Sequence, residues 1–182
     1  MTSRCGVLAL VALAVTITAG CDSKQPQSAP TPTPTYQLEP RPVRPDEVAL
    51  SGHAVSDGDT TFIPIGLTTG LDMIIGSHAE FAPKGQFISV RLVVTNKGRS
   101  SVLFNPKRQL LVLSDGTQLK PDDQAMLIKR QPAEFDLGAA VRLEFDLYYD
   151  APKGAKVVAL MGFGGPTLTD MKDATGTRIP LT

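Results

Sequence analysis

Between Val141 and Asp150 the chain alternates without a break. Val141, Leu143, Phe145, Leu147 and Tyr149 fall on one side of an extended backbone, and Arg142, Glu144, Asp146, Tyr148 and Asp150 on the other. Successive side chains of a strand point to opposite faces, so this pattern predicts a strand buried on one side. Gln86–Asn96 repeats the pattern, with Ile88, Val90, Leu92 and Val94 on one face. Phe87 and Val93 give its other face apolar character, which suits a central strand.

Turn signals punctuate the rest. Pro83-Lys84-Gly85 opens the Gln86 strand and Asn96-Lys97-Gly98 closes it. Ser114-Asp115-Gly116, between Leu-Leu-Val-Leu and Thr-Gln-Leu, reads as a hairpin. Pro152-Lys153-Gly154 separates the alternating strand from Val157–Phe163. A short helix is expected around Ala125–Lys129, and no long stretch has helical spacing. Seven to nine short strands with regular turns predict an all-β, antiparallel β-sandwich, Ig-like in architecture. It has no disulfide pin, since the two cysteines, Cys5 and Cys21, precede it and there is no Trp.

The N-terminus carries different information. Arg4 precedes an apolar run, Val7–Ile17, and small residues follow at Thr18-Ala19-Gly20. Eleven apolar residues are too few to span a bilayer, so residues 1–20 read as a signal peptide rather than a membrane helix or a core helix. Thr18-Ala19-Gly20-Cys21 resembles the bacterial lipobox, with Thr18 in place of the usual larger aliphatic residue. The resemblance implies that Cys21 is lipidated and becomes the mature N-terminus, at the extracytoplasmic face of the cell membrane. Ordinary cleavage and free secretion is the rival reading.

Residues 21–47 hold the lipidated Cys and a tether with seven prolines between Pro26 and Pro45. Such a segment favours extended polyproline II and packs no core of its own, so it is expected to be disordered. Thr31, Thr33 and Thr35, set between prolines, are candidate O-glycosylation sites, though a bare spacer fits equally. Residues 48–182 are then the folded domain.

Within it, Lys84-Gly85-Gln86-Phe87-Ile88-Ser89-Val90, then Val93-Val94-Thr95-Asn96-Lys97-Gly98, resembles the first half of a bacterial Ig-like domain. The Leu113–Gly116 hairpin and Val141–Gly154 resemble its middle and end. The family is the immunoprotective extracellular, immunoglobulin-like one, which includes a small secreted mycobacterial antigen. The resemblance spans about residues 60–165 and implies a β-sandwich outside the membrane, with no catalytic residues to transfer.

The residues themselves offer little chemistry. With 18 basic and 18 acidic side chains the charge balances, which argues against a nucleic-acid partner. His53 and His78 stand apart and lack metal-ligand spacing, so no metal and no cofactor is expected. Asp57-Gly58-Asp59 and Asp122-Asp123 do not fit a calcium loop and read as turn residues. Gly162-Phe163-Gly164-Gly165 lacks the following helix of a phosphate cradle. Glu144 and Asp146 share a strand face, where a solvated charged face is the simpler reading than acid–base work.

The clearest functional hint is Tyr148, expected outward with Arg142 and Glu144, since an aromatic among exposed charges marks an interaction surface. The sequence therefore points to a non-enzymatic interaction module, anchored to the membrane and binding an envelope protein or polymer. The alternatives are a carrier with an apolar cavity lined by Phe87, Phe145, Leu147 and Phe163, or an envelope hydrolase.

Overall fold

The protein is described by a computed structural model, which covers residues 40–167, 170 and 175–181. The expected signal peptide, Cys21 and the threonines at 31, 33 and 35 lie outside the described residues. The chain runs through β1 (Val48–Ala49), β2 (Val55–Asp57), β3 (Thr60–Leu71), β4 (Ile74–Ile75), β5 (Glu80–Phe81) and β6 (Gln86–Asn96). It continues through β7 (Val102–Phe104), β8 (Leu110–Leu113), β9 (Gln118–Leu119), the helix α1 (Asp123–Ile128) and β10 (Phe135–Leu137). The last strands are β11 (Arg142–Ala151), β12 (Val157–Gly162) and β13 (Thr177–Pro180).

Every strand pair is antiparallel. One sheet has the order β1-β3-β6-β11, with β2 also on β3, and the other has the order β13-β12-β8-β9. Ribbons β10-β7 and β4-β5 complete the fold. One apolar core joins the sheets: Val90, Leu92 and Leu147 from the first meet Leu111, Leu160 and Ile179 from the second. At about 1.5–3 kcal/mol for each fully buried large side chain, this core dominates the stability. The expected all-β antiparallel sandwich is what the chain forms.

The long strands follow the alternation. β6 lies between β3 and β11 and is buried on both faces, as a central strand should be. On β11, Phe145, Leu147 and Tyr149 enter the core, while Val141 falls just before the strand and is exposed. Proline appears where the ladder tolerates it. Pro64 precedes a bulge in β3, and Pro180 ends the edge strand β13.

The turns work as their residues suggest. Asn96 is fully buried, and its amide donates to the Ser100 and Leu137 carbonyls while its oxygen accepts from Gly98 N. Gly116 takes a φ of 88° in the Ser114–Thr117 turn, where the Asp115 carboxylate accepts from Thr117 N. That bond holds the Asp115 carboxyl below its ordinary pKa. The expected helix is a six-residue one, and Asp122 caps it by accepting from Ala125 N at 2.8 Å.

Candidate interaction face

β11 carries Glu144, Asp146 and Tyr148 on the face opposite Phe145 and Leu147, and Tyr148 itself joins the apolar cluster. Register places Glu144 opposite Val93, Asp146 opposite Arg91 and Tyr148 opposite Ser89. Alternation predicts this face open to solvent, and the structure corrects that: Tyr148 is only 4% exposed and Asp146 is buried. Alternation shows that a strand has two different faces, but not that the second is wet. Here other segments of the chain cover it.

The cover is the stretch Arg41–Glu47, which the sequence reading gave to the tether. These residues are fastened to the sheet, so the folded body begins before the expected boundary at 47. Arg91, at the middle of β6, is fully buried. Its Nε and Nη2 donate to the two carboxylate oxygens of Glu47 at 2.9 and 2.7 Å. Nη1 donates to the Arg41 carbonyl and to Glu144 Oε1, and Nη2 also reaches the Pro42 carbonyl. All three guanidinium nitrogens thus have partners, as a buried cation needs. The second oxygen of Glu144 accepts from Arg41 N at 3.2 Å.

A second clasp lies beside the first. Arg44 donates through both terminal nitrogens to both oxygens of Asp146, at 2.9 and 3.0 Å. That fork-to-fork geometry is the strong form of the ion pair, and hydrogen bonding to Asp146 raises the Arg44 pKa. Tyr148 lies close by. Burial and the Asp146 charge push its phenol up to about 12, against a smaller pull from Ser89 and Arg44. The two carboxylates weighed for acid–base work, Glu144 and Asp146, are therefore both committed to arginines.

Glycine makes room for the clasp. Gly66 on β3 faces Glu47 so closely that an added Cβ would overlap its carboxylate. No side-chain pattern around Gly66 signals this. Arg91 likewise gave only a polar position on an apolar strand.

The free edge of β11 is covered as well. Asp122 N donates to the Tyr148 carbonyl at 2.7 Å, and Asp146 N donates to Gln131 Oε1 at 2.8 Å. An uncovered edge would invite pairing with another chain, and the α1 crossover closes this one. Arg142 sits half-buried at the far end of the face, opposite Thr95.

The other candidate residues go to structural work or to the surface. Asp57 is buried, and one oxygen accepts from Gly164 N and Gly176 N at 2.9 and 3.2 Å. Phe163 N donates to Gln109 Oε1, so the glycine-rich stretch is pinned as a strand exit. Asp123 pairs with Lys107 at 2.8 Å. His53 and His78 are exposed, and among the described residues no three potential ligands converge as a metal set.

The residues expected to line a carrier's cavity pack against other side chains. Phe87, Phe145 and Leu147 belong to the packed core, and the Phe145 ring meets Phe104 at 6.0 Å. Phe163 lies under Arg108, at 5.4 Å from its guanidinium carbon. A surface cleft of about 580 Å³ opens instead between Phe81–Lys84 and Leu119–Gln124.

Several large apolar side chains remain outward on the described surface, three of them on or beside α1 and β4. Leu127 on α1 is 76% exposed and Ile75 on β4 is 62% exposed, with Met73 also exposed. The two elements touch, since Ile128 packs against Gly76 and Lys129 Nζ donates to the Ile75 carbonyl. Arg130 Nη2 reaches Ser77 Oγ beside them, and Glu80 lies opposite Ile75 across the ribbon.

No protein-family model matches the chain, and no curated protein matches it. Among solved structures it is similar to the yjhA protein from Bacillus subtilis, at 16% identity over 59% of this chain and 75% of that one, with a TM-score of 0.43. A conserved hypothetical protein from Bacillus anthracis shares 16% identity over 57% of this chain and 78% of its own, with a TM-score of 0.46. The secreted protein MPT63 from Mycobacterium tuberculosis shares 15% identity over 69% of this chain and 91% of its own, with a TM-score of 0.39. At these scores the likeness carries no argument.

Proposed function

We propose that this chain is a lipid-anchored, non-enzymatic binding module on the extracytoplasmic face of the cell membrane, akin to the immunoprotective extracellular, immunoglobulin-like family. One observation carries the binding part: Leu127 on α1 and Ile75 on β4 are both strongly exposed, on two elements that touch, at one corner of the fold, through Ile128 and Gly76. Large aliphatic side chains this exposed, drawn from two separate elements, are what a partner surface covers. The polar face that the sequence favoured is already occupied by the chain's own residues. The corner therefore replaces Tyr148 as the contact region, and its partner is an envelope protein with a complementary apolar patch. The anchor rests on Thr18-Ala19-Gly20-Cys21.

Two measurements test the proposal. The first is the intact mass of the protein recovered from membranes. Diacylglyceryl and acyl additions on Cys21, lost in Cys21→Ser, support the anchor, whereas an unmodified Cys21 rejects it. The second is native mass spectrometry of the Cys21→Ser chain with envelope extract. Loss of a bound protein in Ile75→Glu and Leu127→Glu, with unfolding midpoints unchanged, supports the corner. Equal capture by both variants excludes it.

A further inference from the structure

We propose that the N-terminal arm, residues 41–50, exchanges between two copies of this chain, so that each copy's Glu47 and Arg44 close on the Arg91 and Asp146 of the other. The site for the arm is built into the sheet: a fully buried guanidinium, a carboxylate beside it, and the notch at Gly66 that admits Glu47. These groups recognise side chains and carbonyls of the arm, and nothing in their geometry requires the arm to come from the same chain. Exchange of an identical element creates a dimer with contacts already proven in the monomer.

Two features make this arm exchangeable. It is held mostly by hydrogen bonds and ion pairs, while its valines stay outward: Val43 is 48% and Val48 65% exposed. Leu50, at its end, packs against the core, and the rest of the arm docks through those polar contacts. It also has a hinge. β1 pairs Val48 with Leu67 and Ala49 with Gly66, and Leu50 N donates to the Ile65 carbonyl. The next four residues, Ser51–Ala54, belong to no strand and are largely exposed before β2 begins. Register in the exchanged form is fixed by charge. The arm repeats Arg-Pro at residues 41–42 and 44–45, but of its two acidic residues, Asp46 and Glu47, it is Glu47 that Arg91 binds.

The test uses full chains carrying Cys5→Ser and Cys21→Ser. One chain adds Val48→Cys and another adds Leu67→Cys. These positions are direct antiparallel partners, which puts their Cα atoms within disulfide reach. Equal amounts are mixed, incubated and oxidised, and the disulfide-linked heterodimer is counted. A parallel mixture pairs Val48→Cys with Ser114→Cys, on the other sheet, to measure random collision. Exchange predicts heterodimer at least about tenfold above that control, since the docked arm holds its thiol at millimolar effective concentration. It also predicts a dimer by light scattering in the chain without added cysteines, lost in Glu47→Ala. Heterodimer at the control level overturns the proposal. So does a dimer that Glu47→Ala leaves intact, since that dimer uses another surface.

Discussion

Arg91 and Glu47 meet in parallel, Nε to Oε1 at 2.9 Å and Nη2 to Oε2 at 2.7 Å, with side chains 1% and 2% exposed. One belongs to the central strand and the other to a segment that composition alone assigns to a tether. Charges removed from water are costly unless nearly every donor finds an acceptor. Glu144, Arg41 and Pro42 complete that set. The pair therefore makes Glu47 and its neighbours part of the folded body.

Glu47→Ala removes two of the Arg91 contacts and leaves the cation facing a carbonyl pair and Glu144. Breaking one side of a buried pair costs about 3–5 kcal/mol. The expected loss, read from urea unfolding with an unchanged m-value, is near the low end, because water can reach Arg91 once the arm lifts. The double variant Arg91→Met, Glu47→Leu loses clearly less than the two single changes summed. A single-variant cost under about 1 kcal/mol, the range of exposed pairs, would mean the pair contributes little to holding the arm.

Gly66→Ala places a methyl group where the Glu47 carboxylate lies. The arm must then shift, and the loss approaches that of Glu47→Ala, about 2–4 kcal/mol. The two changes act on one contact, so their effects do not add. Gly66→Ala in a Glu47→Ala background is expected to cost under about 1 kcal/mol. Additive losses in this cycle would locate the clash elsewhere on β3.

The sandwich was legible because its signals are local. Alternation at Ile88–Val94 and Phe145–Tyr149 reports burial, and Asn96, Asp115 and Asp122 announce their turns and cap through their own side-chain oxygens. The Tyr148 face was not legible in the same way. Its polar cover arrives from Arg41–Glu47, about a hundred residues before β11, and a charged residue bound to so distant a partner reads as a solvated one. Proline content misled for a related reason. It does predict a segment without its own core, but Arg41–Glu47 closes in a turn, with Glu47 N donating to the Arg44 carbonyl, and is docked by its side chains. The Leu127–Ile75 corner escaped notice because a six-residue helix and a two-residue strand are too short to show a periodicity.

Tyr148 provides a pH signature. Its phenol is raised to about 12, chiefly by burial and then by Asp146. Tyr149, fully buried with its hydroxyl donating to the Gln109 carbonyl, is raised well above 10 by burial. In the unfolded chain both ionise near 10. Above pH 10 the unfolded state releases protons that the folded state keeps, so stability is intact below that pH and falls as pH climbs toward 12. The slope is about 1.4 kcal/mol per pH unit for each such tyrosine. Phenolate absorbance of the native protein, minus that of Tyr148→Phe, should show a midpoint near 12. A midpoint near 10 would place Tyr148 in contact with solvent, with the arm open.

Asp57 ties the β2–β3 hairpin to the other end of the chain. One carboxylate oxygen accepts from Gly164 N and Gly176 N, and Thr60 Oγ1 donates back to the Gly164 carbonyl. Hydrogen bonds to a charged acceptor are worth about 1.5–3 kcal/mol each, and a buried donor left unpaired adds its own penalty. Asp57→Ala orphans both amides and is expected to cost about 3 kcal/mol. Asp57→Asn keeps a carbonyl oxygen able to accept two bonds but loses the charge, so it costs about 1 kcal/mol. Hydrogen exchange locates the effect: the Gly164 and Gly176 amides speed up in Asp57→Ala, while β6 and β11 amides keep their protection at matched distance from global unfolding. If the Ala variant stays within about 0.5 kcal/mol of the parent, as a neutral surface change would, water replaces the carboxylate without loss, and the hairpin and the C-terminal strand are held together by their apolar contacts alone.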